Sequence, residues 1–144
     1  MHRTDRSADE EAMAARSESP LLITARTRGE VEIIARRIHR TTAGTRSAPF
    51  VRFPARALPV DPGMLDESCT HLLHAGTGGT LFLSDVEEMP AIVQDTLVDL
   101  LVERQRAGAA RLITGTTVSL LDRTTAGTFS ARLLYQLNVI HLVY

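Results

Sequence analysis

The sequence predicts a three-layer α/β domain built on a parallel sheet of about five strands. Five short apolar runs alternate with helical segments along the 144 residues, which is typical of a parallel sheet covered on both faces. The predicted strands are Leu21–Thr24, Pro49–Phe53, Thr80–Ser84, Arg111–Gly115 and Val139–Val143. Ligands of such folds bind at the carboxyl ends of the strands, here near Thr24–Arg28, Ser84–Glu88 and Gly115–Thr117.

Helical periodicity supports the segments between these strands. After the first strand, apolar residues recur at intervals of three and four while arginines take the other face. The apolar positions are Val31, Ile34, Ala35 and Ile38, and the arginines are Arg36, Arg37 and Arg40. Further helices are predicted over Met64–Leu73, Pro90–Arg104, Ser119–Thr124 and Thr128–Leu137.

The length supports one domain, over residues 19–144, preceded by a polar tail over residues 1–18 that we expect to be disordered, with a short helix at most. No apolar run approaches the ~20 residues that a membrane span requires, and the first residues lack the apolar core of a signal peptide. We therefore expect a cytoplasmic protein without membrane contact. The single cysteine, Cys69, agrees with a reducing compartment.

Charge is distributed unevenly along the chain. Between Arg26 and Arg56 there are eight arginines and two glutamates, a net charge of +6, whereas Asp61 to Glu103 contains nine acids and no base. Such polarity can make subunits meet head to tail or steer a nucleic acid. Aromatic residues are too sparse among the arginines to favour nucleic acid, so a protein contact and solvated faces of separate helices remain as the two interpretations.

Several motifs in order carry a resemblance to a known family. They are Leu22-Ile23-Thr24 before the first long helix, Pro49-Phe50-Val51, Gly78-Gly79-Thr80-Leu81-Phe82-Leu83, and Leu134-Tyr135-Gln136-Leu137-Asn138-Val139. From about Leu21 onward the chain resembles the AAA+ ATPase domain of bacterial sigma-54-dependent transcriptional activators. This resemblance implies a fold of the P-loop NTPase type, the AAA+ core, without the helical lid.

The phosphate loop of that family, Gly-Glu-Ser-Gly-Thr-Gly-Lys-Glu, falls on residues 25–32. Only vestiges of a phosphate site remain there, at Arg26, Thr27, Arg28 and Gly29. A phosphate cradle needs glycines whose N–H groups curl around the anion and a lysine that reaches the outer phosphates. Val31 stands at the lysine position, and the whole chain contains no lysine because all sixteen basic residues are arginine. We expect no conventional ATP binding and no cofactor.

The other catalytic positions are also altered. The family places Asp-Glu after Leu-Phe-Leu to organise magnesium and activate water, and Ser84 and Asp85 stand there. Thr117 matches the sensor asparagine, and Ser130 and Gln136 match the arginine fingers, with Arg132 displaced from them. Nothing between Pro59 and Gly78 resembles the loop with which the family touches the sigma factor. The resemblance thus implies a pseudo-ATPase with no catalytic residue.

The leading hypothesis is a catalytically inactive AAA+-like module that acts by protein contact in bacterial regulation. Its partner would be an AAA+ activator or a second copy of itself. The expected contact residues are Arg36, Arg37 and Arg40 on the basic side and Asp85, Glu87 and Glu88 on the acidic side. Two alternatives remain: a sensor that binds a nucleotide or phosphate ligand without hydrolysis through Arg26, Thr27 and Arg28, and a self-assembling structural subunit.

Cys69, His71 and His74 are the other group with metal-like side chains. The two histidines lie three residues apart on a predicted helix, but zinc requires a third or fourth ligand that the sequence does not offer nearby. We therefore expect a structural role for these residues and no metal site. No Gly-x-Ser-x-Gly motif is present that would favour a serine hydrolase.

Overall fold

A computed structural model describes residues 2–44, 47–104 and 110–144, and it confirms the predicted fold class. All strand pairings are parallel, and the strand order is β2-β3-β4-β1-β5. The strands are β1 Leu21–Thr24, β2 Phe50–Pro54, β3 Thr80–Ser84, β4 Arg111–Thr116 and β5 Ile140–Val143. The helices are α1 His2–Ala15, α2 Arg28–Ala43, α3 Pro62–Ala75, α4 Ala91–Arg104, α5 Leu120–Thr125 and α6 Ala131–Leu137.

The sheet separates two hydrophobic cores. On one face, α1 and α2 bury their apolar sides against Ile23, Phe82 and Ile113. On the other face, α3, α4 and α6 pack against Leu22, Leu83 and Leu112. Because side chains alternate between the two faces along each strand, the sheet contributes apolar residues to both cores. This explains why the strands are apolar at nearly every position.

The residues predicted to face inward on α2, α3 and α4 are all buried. They are Val31, Ile34, Ala35, Ile38, Leu65, Cys69, Leu72, Val93, Leu97, Leu100 and Leu101. None of the helices in the described part of the chain combines the length and hydropathy that a bilayer span requires. The helical spacing in the sequence was therefore sufficient to orient the central helices.

The last helix begins three residues later than predicted, at Ala131 instead of Thr128. Ser130 is its N-cap, since the hydroxyl oxygen accepts a hydrogen bond from the N–H of Leu133 at 3.2 Å. The N–H of Ser130 in turn donates to Oε1 of the buried Gln94 on α4, at 2.7 Å. A tertiary hydrogen bond from α4 thus fixes where the helix starts, and local sequence does not reveal such a bond.

The N-terminal segment differs from the disordered tail that the composition predicted, because residues 2–15 form α1. Ala14 and Ala15 are buried in the core beside α2. Glu11 anchors the helix: its carboxylate accepts hydrogen bonds from Arg37 Nε at 2.5 Å and from the Tyr144 hydroxyl at 2.8 Å. One carboxylate therefore joins α1, α2 and the residue after β5.

Burial alone would raise the pKa of Glu11, but hydrogen bonds from Arg37 and Tyr144 and the charge of Arg37 outweigh it and lower the pKa. Burial together with the Glu11 carboxylate raises the pKa of Tyr144. Because the folded-state pKa of Glu11 is depressed, its contribution to stability is present above the unfolded-state pKa. That contribution is lost as the pH falls through the folded-state value.

We expect Glu11→Gln to lower the free energy of unfolding by about 1 kcal/mol at neutral pH, because it removes a charge-assisted pair. The deficit relative to the parent chain should shrink as the pH falls from about 5 through the depressed folded-state pKa of Glu11, because the parent carboxylate then becomes protonated. Urea unfolding followed by circular dichroism at several pH values measures this. Asp9→Asn, an exposed carboxylate on the same helix, is the control and should leave the pH profile unchanged. A constant deficit across this range would contradict the assigned role of Glu11.

Candidate functional site

The carboxyl ends of β1, β3 and β4 meet at one edge of the sheet, as the strand order requires. The loop after β3 contributes Asp85, Glu87 and Glu88, whose potential ligand atoms all lie within 4.8 Å of one another. Among the described residues, this is the group in which three metal-type ligands come together. The sequence-predicted acidic residues therefore do form one cluster, which we call the carboxylate cluster.

The backbone after β3 is shaped to hold the carboxylate cluster. Asp85 has a φ of 54°, the only positive φ outside glycine in the described residues, and it lies just before a 3₁₀ turn over Val86–Glu88. Aspartate tolerates this left-handed conformation better than most residues. The Glu88 N–H closes the turn by donating to the Asp85 carbonyl at 3.0 Å, which holds the two acidic residues together.

Arg28, in the first turn of α2, lies directly against the carboxylate cluster. Its Nε is 3.0 Å from Asp85 Oδ1, and its Nη2 is 2.5 Å from Glu88 Oε1. Asp85 is buried, with 8% of its surface exposed, so this is a counter-ion at a largely desolvated carboxylate. Arg56, in a 3₁₀ turn after β2, adds a longer contact from Nη1 to Glu88 Oε2 at 3.4 Å.

Glu87 makes a different contact, to the neighbouring strand. The hydroxyl of the buried Thr116, the last residue of β4, donates to Glu87 Oε1 at 2.7 Å. The same hydroxyl oxygen accepts a hydrogen bond from the N–H of Val118 at 3.2 Å. Every member of the carboxylate cluster is thus bonded to another part of this chain, and the cluster joins α2, β4 and the turn after β2.

The connection from β1 to α2 consists of Ala25, Arg26 and Thr27 only. Thr27 is the N-cap of α2: its hydroxyl oxygen accepts from the N–H of Glu30 at 3.1 Å, and its carbonyl accepts from the N–H of Val31 at 3.1 Å. The Glu30 N–H, one of the free N–H groups that an anion at the helix start would use, is therefore engaged by the helix cap, and the Val31 N–H makes the first bond within the helix.

Val31, at the position of the family's lysine, belongs to the core. It is 3% exposed and packs on Gly115 in β4, where an added Cβ would lie only 2.3 Å from Val31 Cγ1. Gly29 and Arg26 are exposed at the surface of the loop and the first turn. Of the four phosphate-loop positions, Thr27 thus caps α2 and Arg28 is a counter-ion to the carboxylate cluster. Arg26 and Gly29 are exposed.

The arginines predicted as contact residues lie on the exposed side of α2. Arg36 pairs with Glu32 at 3.1 Å and stacks over the ring of Phe50, 4.6 Å from its centroid. Arg37 is bonded to Glu11, whereas Arg40 has no acidic partner among the described side chains. The acidic residues that were expected to meet these arginines in a partner are instead engaged within the chain, by Arg28, Arg56 and Thr116.

The structure separates Cys69 from the two histidines near it. Cys69 is buried in the core under α3, whereas His71 and His74 are exposed on its outer side. They line a shallow groove of about 460 Å³ together with Asp66, Glu67 and Thr70. The cysteine and the histidines do not converge on a common point.

Sequence reasoning missed two residues that matter at this edge. Arg56 was counted only as part of a basic segment, and Thr116 was not singled out. Their positions in the sequence could have indicated this role. Arg56 follows β2 and Thr116 ends β4, and the carboxyl ends of neighbouring parallel strands lie at one edge of the sheet. Glu11 and Tyr144 were also missed, since 133 residues separate the two groups of their hydrogen bond.

The parallel sheet with strand order β2-β3-β4-β1-β5 is that of a P-loop NTPase fold. The family model described as the sigma-54 interaction domain matches residues 8–143. The chain therefore belongs to the sigma-54 interaction domain family, and the resemblance noted from the sequence is confirmed.

Curated relatives agree with this assignment. The chain is 32% identical to the regulatory protein AtoC of Escherichia coli strain K12 over 155 residues, which covers 92% of this chain and 33% of AtoC. It is 30% identical to the sigma54-dependent transcriptional activator SfnR of Pseudomonas putida over 157 residues, which covers 89% of this chain and 41% of SfnR. The chain thus spans between a third and two fifths of the length of these relatives.

Solved structures support the fold. NtrX from Brucella abortus in complex with ATP superposes with a TM-score of 0.75 at 24% identity, covering 97% of this chain and 36% of that one. The P-loop NTPase domain of the sigma-54 transport activator from E. coli gives 0.69 at 20% identity, covering 99% of this chain and 94% of that one. The RuvB branch migration motor of Thermotoga maritima gives 0.67 at 14% identity, covering 97% of this chain and 44% of that one.

We expect Arg28→Ala to lower the free energy of unfolding by about 1 kcal/mol, because Asp85 loses its close counter-ion in a buried position. The loss should become smaller as salt screens the remaining repulsion among the acids. Urea unfolding at low and high sodium chloride measures both effects. Arg26→Ala removes an exposed arginine two residues away and is the matched control. Equal stability of the two variants would show that Arg28 does not stabilise the carboxylate cluster.

Proposed function

We propose that this chain is a catalytically inactive AAA+-like module that acts by protein contact in bacterial transcription regulation. The observation that carries the proposal is the engagement of Arg28 with Asp85 and Glu88. In an active relative, the start of this helix would face phosphates and the acids after β3 would face magnesium. In this chain the Arg28 guanidinium lies between the start of α2 and the acids after β3.

The residues present do not fit a magnesium nucleotide. Arg28 would have to leave Asp85 and Glu88 before a divalent cation could approach them. The N–H group of Glu30 at the start of α2 is already bonded to the Thr27 hydroxyl oxygen. The chain has no lysine to place beside the outer phosphates. These three features act on different parts of the ligand, so restoring any one of them would not rebuild the site.

Ser130 adds a separate argument against activity. It matches a position of an arginine finger, the cationic side chain that stabilises charge during phosphoryl transfer. In this chain it serves as the N-cap of α6 and is bonded to Leu133 and Gln94. An uncharged helix cap at this position supplies no positive charge to a neighbouring site.

The phosphate-sensor alternative depends on Arg26, Thr27 and Arg28. Two of these residues have other partners, since Thr27 caps α2 and Arg28 pairs with the acids after β3. Arg26 alone, on an exposed loop, offers a point charge without the surrounding N–H groups that give phosphate specificity. The contacts therefore favour the inactive module over the sensor.

A module without its own chemistry must act through a partner. The named relatives AtoC and SfnR are a regulatory protein and a sigma54-dependent activator. We infer that the partner of this chain is an active AAA+ regulator of the same family or a second copy of the chain, in a cytoplasmic setting. Retention of the scaffold together with loss of the nucleotide site is the combination that such a role requires.

One assay with three arms tests the proposal: the chain alone, an active sigma-54-dependent activator from the same cell alone, and their mixture. We expect no ATP hydrolysis above the blank for the chain alone. In the mixture we expect a changed ATPase rate of the activator and a changed assembly size by sedimentation. The purified activator measured alone under the same conditions is the positive control.

Two outcomes would contradict the proposal, and they address different halves of it. Turnover by the isolated chain that disappears in Asp85→Asn would show a working nucleotide site. A mixture in which neither the activator's rate nor its assembly changes would remove the regulatory contact with an activator.

A further inference from the structure

The two outer helical layers carry complementary exposed stripes. On α2 the stripe is Ile33, Arg36, Arg37 and Arg40, and on α4 it is Ile92, Asp95, Asp99 and Val102. Ile33 is 60% exposed, Ile92 54% and Val102 56%, so apolar side chains lie in solvent beside the charges on both helices. Exposed apolar residues bordered by charges are typical of protein contact surfaces.

The spacing within the two stripes is the same. Ile33 is followed by arginines at the third and seventh positions, and Ile92 is followed by aspartates at the third and seventh positions. Residues at these intervals lie along one side of a helix. If the two helices pack in parallel, Ile33 meets Ile92, Arg36 meets Asp95 and Arg40 meets Asp99. Each of these three pairings is favourable.

The fold supplies that parallel orientation. Both α2 and α4 follow a strand of a parallel sheet and lead back to the next strand, so they run in the same direction. They lie on opposite faces of the sheet, α2 over one core and α4 over the other. A second copy stacked by translation across the layers therefore brings its α4 onto α2 of the first copy in parallel.

Existing ion pairs leave these stripes charged. The Arg36 and Arg37 guanidiniums contact Glu32 and Glu11, yet about half of each arginine side chain remains exposed. Asp99 has a long contact of 3.5 Å to Arg132, and both of those side chains are largely in solvent. Neither Arg40 nor Asp95 has an oppositely charged partner among the described side chains. In the carboxylate cluster, by contrast, Asp85 and Glu88 are already paired with Arg28 and Arg56.

We propose that the chain self-associates head to tail, with the α2 stripe of one copy against the α4 stripe of the next. This proposal rests on the proposed function, and it names a second copy as the partner. Because the two surfaces differ, each pair leaves one free stripe of each kind, so association continues beyond two copies unless it closes. The acidic side of the contact is then α4, and Asp85, Glu87 and Glu88 have no part in it.

The test uses single charge reversals, Arg40→Glu on α2 and Asp95→Arg on α4, with sedimentation velocity over a range of concentrations. Each should weaken self-association by about tenfold, which corresponds to about 1.4 kcal/mol. Arg26→Glu and Glu67→Arg make the same charge changes outside the stripes and should leave association unchanged. Sodium chloride should weaken association of the parent chain, because it screens the charges.

Mixing the two reversed variants gives the sharpest result. The Arg40→Glu chain keeps an intact α4 stripe, and the Asp95→Arg chain keeps an intact α2 stripe. The mixture should therefore form a one-to-one dimer with the affinity of the parent contact, whereas each variant alone associates about tenfold more weakly. A parent chain that is monomeric up to about 1 mM, controls that lose association equally, or a mixture that does not dimerise would each overturn the proposal. The ATP hydrolysis of the isolated chain is independent of these outcomes, so failure here leaves the proposed inactivity standing.

Discussion

Asp85, Glu87 and Glu88 are brought so close by the turn after β3 that their ligand atoms lie within 4.8 Å of one another. At an effective dielectric constant of about 20, each pair of such charges repels by at least roughly 3.5 kcal/mol. The Arg28 guanidinium offsets this repulsion by contacting two of the three carboxylates, and Thr116 donates to the third. The position of the first turn of α2 relative to β3 and β4 depends on this arrangement.

The same arrangement explains how the scaffold can persist under the proposed loss of nucleotide chemistry. The two cores are built from residues on the faces of the sheet, and the chemistry of a P-loop protein is located at the carboxyl edge. A change at the edge therefore leaves most of the buried apolar surface intact. Val31 lies where the edge of the sheet meets the core. It occupies the position of the family's lysine, but its side chain packs in the core beside Gly115.

The sequence was sufficient to predict the parallel sheet, the inward faces of α2, α3 and α4, and the meeting of Thr24–Arg28 with Ser84–Glu88 at one edge. Periodicity and strand order determine these features, and both are readable locally. The partners of individual charges were not predictable. Asp85 and Glu88 were assigned to a partner protein because a sequence does not reveal that Arg28, some 60 residues earlier, is within reach. The docking of α1 was missed for the same reason, since Glu11 depends on Arg37 and Tyr144.

The central claim is that Arg28 is a fixed counter-ion to Asp85 and Glu88 and does not yield to a magnesium nucleotide. Proton–nitrogen spectra of the arginine Nε groups, with Arg28 assigned through an Arg28→Lys variant, follow this side chain directly during a titration with magnesium ATP. We expect the Arg28 signal to stay in place up to several millimolar ligand, with no more change than the exposed Arg26 signal shows. A saturable shift of the Arg28 signal at submillimolar ligand, without a matching shift at Arg26, would contradict the central claim.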